Sequence, residues 1–146
     1  MEMNTNFWKN RKVLITGHTG FKGSWLSLWL QHLGAEVVGV SLDPPTTPSL
    51  YKQANIELGM VSLYEDIRNG EAVKKIFKKH RPEIVFHLAA QSLVRYSYRN
   101  PVETYETNVM GTLHVLEGIR SIETVRSAVM ITTDKCYENK EWEWGY

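Results

Sequence analysis

Apolar residues along this chain gather into five short runs, and between them they recur at helical spacing. The runs predict strands over Val13 to Ile15, Glu36 to Leu42, Met60 to Leu63, Ile84 to Leu88 and Ser127 to Thr132. Runs this short, rich in valine and isoleucine, suit buried strands better than helices. Phe21, Trp25, Leu28, Trp29 and Leu33 fall on one helical stripe that Leu26 and Leu30 widen, and Gly34 closes the segment. That width predicts a helix covered by a sheet on one side and by more protein on another. Pro44, Pro45 and Pro48 exclude regular structure after the second strand, and a short helix is expected over 49–55. Glu71 to His80 predicts an amphipathic helix, with Val73, Ile76 and Phe77 inside and Lys74, Lys75, Lys78 and Lys79 on a solvated face. Ser92 to Tyr98 reads as a helical turn. Pro101 then opens a long helix to about Arg120, with Val102, Tyr105, Val109, Leu113 and Leu116 on its apolar side.

Strand and helix alternate from end to end. Parallel neighbours need such crossovers, so the expected fold is α/β: a doubly wound parallel sheet of Rossmann type with helices on both faces. In these sheets ligands bind outside the carboxyl ends of the strands. The residues that follow each strand therefore carry the chemistry: Gly17 to Gly23, Ser41 and Asp43, Asp66, Ala89 to Ser92, and Thr133 to Lys135.

Composition narrows the partners. The chain has 146 residues, 42% hydrophobic and 23% charged, enough for one domain with a core. Its net charge of +1 gives no electrostatic case for nucleic acid or a membrane surface, so an anionic ligand must be held by local geometry. The first residues lack the apolar core of a signal peptide, and no run is long enough to span a membrane; the protein is expected to be cytoplasmic. Cys136 stands alone, which excludes an internal disulfide, and no Cys/His spacing resembles a metal site.

The strongest local signal is Thr16-Gly17-His18-Thr19-Gly20-Phe21-Lys22-Gly23-Ser24, where a strand meets a helix through three glycines. A helix that starts at such a turn aims its free N–H groups and positive dipole end at the turn, which suits a diphosphate. The spacing is G-x-x-G-x-x-G rather than G-x-G-x-x-G, and it is no ATPase P-loop, because Lys22 and Gly23 are exchanged relative to G-x-x-x-x-G-K-[ST]. The plain alternative is a glycine-rich turn with no ligand.

Five stretches together, Thr16-Gly17-x-x-Gly20-x-x-Gly23, Asp66-Ile67, His87-Leu88-Ala89-Ala90-Gln91-Ser92, Asn108-x-x-Gly111-Thr112 and Thr132-Thr133-Asp134-Lys135-Cys136-Tyr137, resemble the extended short-chain dehydrogenase/reductase family. Within it they are most similar to the nucleotide-sugar 4,6-dehydratases, and Gly-His-Thr-Gly-Phe-Lys-Gly-Ser-Trp-Leu with Thr-Asp-Lys points to those acting on CDP-glucose. The resemblance implies a bound NAD, with NADP not excluded, that takes hydride from sugar C4 and returns it to C6 after water leaves across C5 and C6. It implies Gly17, Gly20 and Gly23 under the pyrophosphate, with His18, Phe21 and Lys22 in or beside the turn; Lys22 either neutralises phosphate or points to water. Asp66 and Ile67 would lie at the adenine and Ala89, Ala90 and Gln91 along the nicotinamide-side ribose, with Leu88 and Thr132 also among the cofactor-binding residues. Where many NAD-using relatives carry an acid after the second strand, this chain has Ser41, with Asp43 two positions on, so NAD over NADP is a weak preference. By the same resemblance Thr133 binds the 4-hydroxyl, Asp134 protonates the departing 6-hydroxyl, and Lys135 stands where relatives place the C5 base. A lysine serves there only if desolvation or nearby positive charge lowers its pKa.

The family's Tyr-x-x-x-Lys is missing, since none of the seven tyrosines has a lysine four residues on. The expectation is therefore an amino-terminal part of a longer enzyme, lacking its sugar-nucleotide domain and not competent alone. The full-length protein is expected to be a homodimer through the long helix from Pro101, taking CDP-glucose or another nucleotide sugar. Two readings stay open beside it: a related epimerase or reductase, and a non-catalytic dinucleotide-binding module.

Overall fold

The computed structural model describes residues 5–133 and 136–145. Among them five strands form one parallel sheet: β1 (Lys12–Thr16), β2 (Glu36–Ser41), β3 (Val61–Tyr64), β4 (Ile84–His87) and β5 (Ser127–Met130). Their spatial order is β3-β2-β1-β4-β5. Leu14 pairs with Val38 on one side and Val85 on the other, which puts the centre of β1 at the centre of the sheet. The chain runs outward from β1 to β3 and then crosses back to β4. The order thus reverses between β1 and β4, and in open α/β sheets that crevice is where ligands sit.

The helices are α1 (Phe21–His32), α2 (Leu50–Gln53), α3 (Gly70–His80), α4 (Val94–Arg99), α5 (Pro101–Tyr105) and α6 (Thr112–Arg120), with a π-helical stretch Glu106–Gly111 joining the last two. Alternation of side chains along the strands makes two cores. Leu14, Val40 and Val85 face Val73 and Phe77 of α3 and Val115 of α6. Val13, Ile15, Val37 and Ile84 face Leu30 of α1. Helices therefore cover both faces, as a parallel sheet requires. The α3 lysines are all exposed, and Asn69 caps that helix by accepting from the Ala72 N–H at 3.2 Å.

The aromatic stripe of α1 does not face the sheet. Its buried residues are Gly23, Ser24, Ser27 and Leu30, whereas Phe21, Trp25 and Trp29 are exposed. The reason is contact distance. A Cβ at Gly23 would lie 2.1 Å from the Gly17 carbonyl oxygen, and the Ser24 hydroxyl donates to the His18 carbonyl at 3.1 Å, so only small residues fit against the turn. Strand ends also differ slightly from expectation: β2, β4 and β5 stop at Ser41, His87 and Met130, and β3 starts at Val61. Leu42 after β2 and Leu88 after β4 turn away to line a cleft.

Candidate dinucleotide site

At the carboxyl edge of the sheet a cleft of about 250 Å³ opens where the strand order reverses. The glycine turn forms its floor. Gly17 has φ +76°, and a Cβ there would stand 2.8 Å from the Ala89 nitrogen, so the turn and the segment after β4 touch backbone to backbone. Gly20, at φ −72°, has no such constraint: an added Cβ would meet only the Gly17 carbonyl, at 3.4 Å. Glycine is not needed there by the protein itself. Its missing side chain leaves room in the cleft that Gly20 lines, at the start of α1, whose N-cap makes no side-chain hydrogen bond. An uncapped helix start beside open space fits a diphosphate.

One wall comes from the ends of β2 and β3, with Ser41, Leu42, Asp43, Asp66, Ile67 and Arg68. The other comes from Leu88, Ala89 and Ala90 after β4. The Thr19 hydroxyl donates to the Leu42 carbonyl at 2.8 Å, so the 2.8 Å contact between Thr19 and Ser41 is a donation from Ser41. The Asp66 carboxylate accepts the Arg68 backbone N–H at 2.8 Å and pairs with its guanidinium at 2.6 Å. Burial pushes the Asp66 carboxyl up, but the Arg68 hydrogen bonds outweigh it and hold the group below its usual range.

The cleft thus gathers Gly17, Gly20, Ser41, Asp43, Asp66, Ile67, Leu88, Ala89 and Ala90 of the residues expected at a cofactor. Gly23 packs beneath it, and Gln91 lies just past its rim. Phe21 and Lys22 are exposed on α1, and Thr132 and Thr133 are exposed after β5. The Thr133 carbonyl accepts the Cys136 thiol at 3.3 Å. Asp134 and Lys135 lie outside the described residues. His18 does not line the cleft. Its ring is wholly buried behind the turn, its Nε2 2.7 Å from the Ser62 hydroxyl and its edge against Tyr51, in space that a side chain at Gly39 would fill. A polar residue between two glycines reads as ligand-facing in sequence, and only the β2–β3 packing turns it inward. Thr19, Arg68, Glu103 and Thr107 also line the cleft and were not singled out. Arg68 stands two residues after Asp66, a spacing that an Asx-type turn could have signalled.

Residues 14–141 match the family described as GDP-mannose 4,6 dehydratase. The chain belongs to that family. It is 54% identical over 141 residues to the CDP-glucose 4,6-dehydratase of Salmonella typhimurium, covering 97% of this chain and 39% of that protein. It is 31% identical to a GDP-mannose 4,6-dehydratase of Vibrio cholerae, covering 87% of this chain and 36% of the relative. Among solved structures, the UDP-glucose-4-epimerase of Stenotrophomonas maltophila, with bound NAD and formylated UDP-arabinopyranose, superposes with a TM-score of 0.79 at 25% identity over 92% of this chain and 40% of that one. The NAD complex of Thermus thermophilus UDP-glucose 4-epimerase gives a TM-score of 0.64 at 35% identity, over 74% of this chain and 33% of that one. The Rossmann-type fold expected from the strand and helix pattern is the fold of these neighbours. The chain spans about two fifths of the length of the curated relatives it matches.

Proposed function

We propose that this chain is the dinucleotide-binding part of a nucleotide-sugar 4,6-dehydratase, with NAD as cofactor and CDP-glucose as substrate. The observation that carries the reading is the cleft at the β1/β4 reversal, floored by a glycine whose side chain the protein has no internal reason to omit. Gly17 and Gly20 would lie against the pyrophosphate, Asp66 and Ile67 at the adenine, and Leu88 to Gln91 along the nicotinamide side. Asp43, Glu65, Asp66 and Glu103 line the cleft against one cation, Arg68, which is already paired. That balance repels a 2′-phosphate and supports NAD over NADP.

When bound, NAD supplies a hydride acceptor for sugar C4 that gives the hydride back at C6. The chain's own residues act on protons and position. Thr133 would hold the 4-hydroxyl, Asp134 would protonate the departing 6-hydroxyl, and Lys135 would take the C5 proton. The 54% identity to a CDP-glucose 4,6-dehydratase and the Thr-Asp-Lys stretch support dehydration over the epimerisation named in the structural neighbours. Because the chain spans two fifths of its relatives, the activity is proposed for the whole protein rather than for this stretch alone.

Calorimetric titration tests the site. NAD is expected to bind saturably and more tightly than NADP. Gly20→Ala is expected to keep the fold and weaken binding, and Gly20→Trp to abolish it. Folded protein that ignores NAD, or a Gly20→Trp variant that binds it unchanged, overturns the assignment; conversion of CDP-glucose by the whole protein tests the reaction.

A further inference from the structure

His87 ends β4 almost fully buried, beneath the cleft rather than in it. The Thr16 hydroxyl oxygen accepts the Ala89 backbone N–H at 3.1 Å and shares the Leu88 N–H, also at 3.1 Å, with the Thr16 carbonyl. Two N–H donors then face that oxygen, and its own proton points to the 2.7 Å contact with His87 Nδ1. Nδ1 is thereby an acceptor, and the neutral ring carries its proton on Nε2, which donates to the Thr112 hydroxyl at 2.9 Å. Thr112 in turn donates to the Asn108 carbonyl at 2.8 Å, inside the π-helical stretch. The Asn108 side chain grips the Gln91 backbone twice, accepting its N–H at 2.8 Å and donating to its carbonyl at 2.9 Å. One directed chain of hydrogen bonds therefore runs from the end of β1 through His87 to the long helix and back to the segment after β4. It holds residues 88 and 89 at one end and residue 91 at the other.

We infer that His87 is a positioning residue that, as its Nε2–H tautomer, fixes the Leu88–Gln91 rim against the glycine turn and so sets affinity for the nicotinamide half of the dinucleotide. This rests on the dinucleotide reading of the cleft. The rim is sensitive because it is in backbone contact with the turn: a Cβ on Gly17 would stand 2.8 Å from the Ala89 nitrogen. No side chain in the hydrogen-bond chain bonds to the wall from β2 and β3, whose contacts with the long helix run instead through Ile67 and Arg68. Loosening the chain therefore moves one half of the site and spares the other.

ADP and NAD separate the two halves, because ADP carries adenine, ribose and diphosphate but no nicotinamide riboside. Thr112→Val keeps the shape and removes the hydroxyl that links His87 to Asn108. It is expected to weaken NAD about tenfold while leaving ADP affinity within about twofold, the loss of roughly one buried hydrogen bond. His87→Gln, whose amide offers one acceptor and one donor, is expected to retain most NAD affinity, and His87→Leu to lose it. Nitrogen chemical shifts of the unliganded protein are expected to show the Nε2–H tautomer at His87. An Nδ1–H tautomer overturns the inference, as does a Thr112→Val variant that weakens NAD and ADP equally or changes neither. Wild-type protein that binds neither ligand instead removes the dinucleotide reading, and the inference falls with it.

Discussion

His18 sits in the glycine turn with its ring packed among Tyr51, Ser62 and Tyr64, the Tyr51 hydroxyl donating to the same Ser62 oxygen that the imidazole meets. Burial lowers its pKa to about 4, an effect the Val40 carbonyl offsets only in part. In the unfolded chain the same ring titrates near its ordinary value of 6.5. Below that pH the unfolded state binds a proton that the folded state excludes. The stability held by a neutral His18 is thus complete above pH 6.5 and is lost as pH falls toward 4, by about 3 kcal/mol. Burial lowers His80 and His87 in the same direction, so the whole protein loses stability over that window. Urea unfolding at pH 7 and pH 4.5 checks this, and His18→Gln is expected to flatten the dependence relative to wild type. At this scale the sequence revealed the glycines, whose spacing is a backbone property, but not the direction of the histidine between them. That direction follows from an opening over Gly39 and from hydroxyls supplied by β3 and α2.

Among the elements, α1 shows how apolar spacing can predict a helix correctly and its buried face incorrectly. The helix runs Phe21–His32, close to its expected bounds, yet the side against the sheet is built of Gly23, Ser24, Ser27 and Leu30. Leu30 is 1% exposed and Trp25 is 53% exposed. Leu30→Ala is therefore expected to cost about 2–5 kcal/mol, and Trp25→Ser less than half as much, in chemical denaturation of this chain. Equal costs would mean that the aromatic stripe is covered. The helix from Pro101 likewise appears where its apolar spacing predicts it, but Glu106–Gly111 is π-helical. The Thr112 hydroxyl takes the Asn108 carbonyl there, and a local side-chain bond of this kind disturbs the helical ladder. A period of hydrophobic residues is insensitive to such a widening, so the sequence pattern passes over it.

For the molecule as a whole, the long helix leaves an apolar seam of Val102, Tyr105, Val109, Leu113 and Leu116 exposed at the surface. The residues recur every three or four positions, the spacing at which one helix packs against another. No helix among the described residues is long and apolar enough to cross a membrane, and no cluster of His, Cys, Asp or Glu among them could hold a metal ion. What the sequence determined by itself were the periodic and local features: five strands, the helices between them, the parallel sheet their alternation requires, and the glycine turn. These depend on neighbours along the chain and on side-chain periods of about two and 3.6 residues. Only the tertiary structure decided which face of α1 is buried, that His18 turns inward, that Arg68 closes on Asp66, and that Thr16, His87, Thr112 and Asn108 join into one chain of hydrogen bonds. Each of these depends on groups brought together from distant parts of the sequence, such as Thr16 and His87, 71 residues apart, whose contact exists because β1 and β4 are neighbours in the sheet.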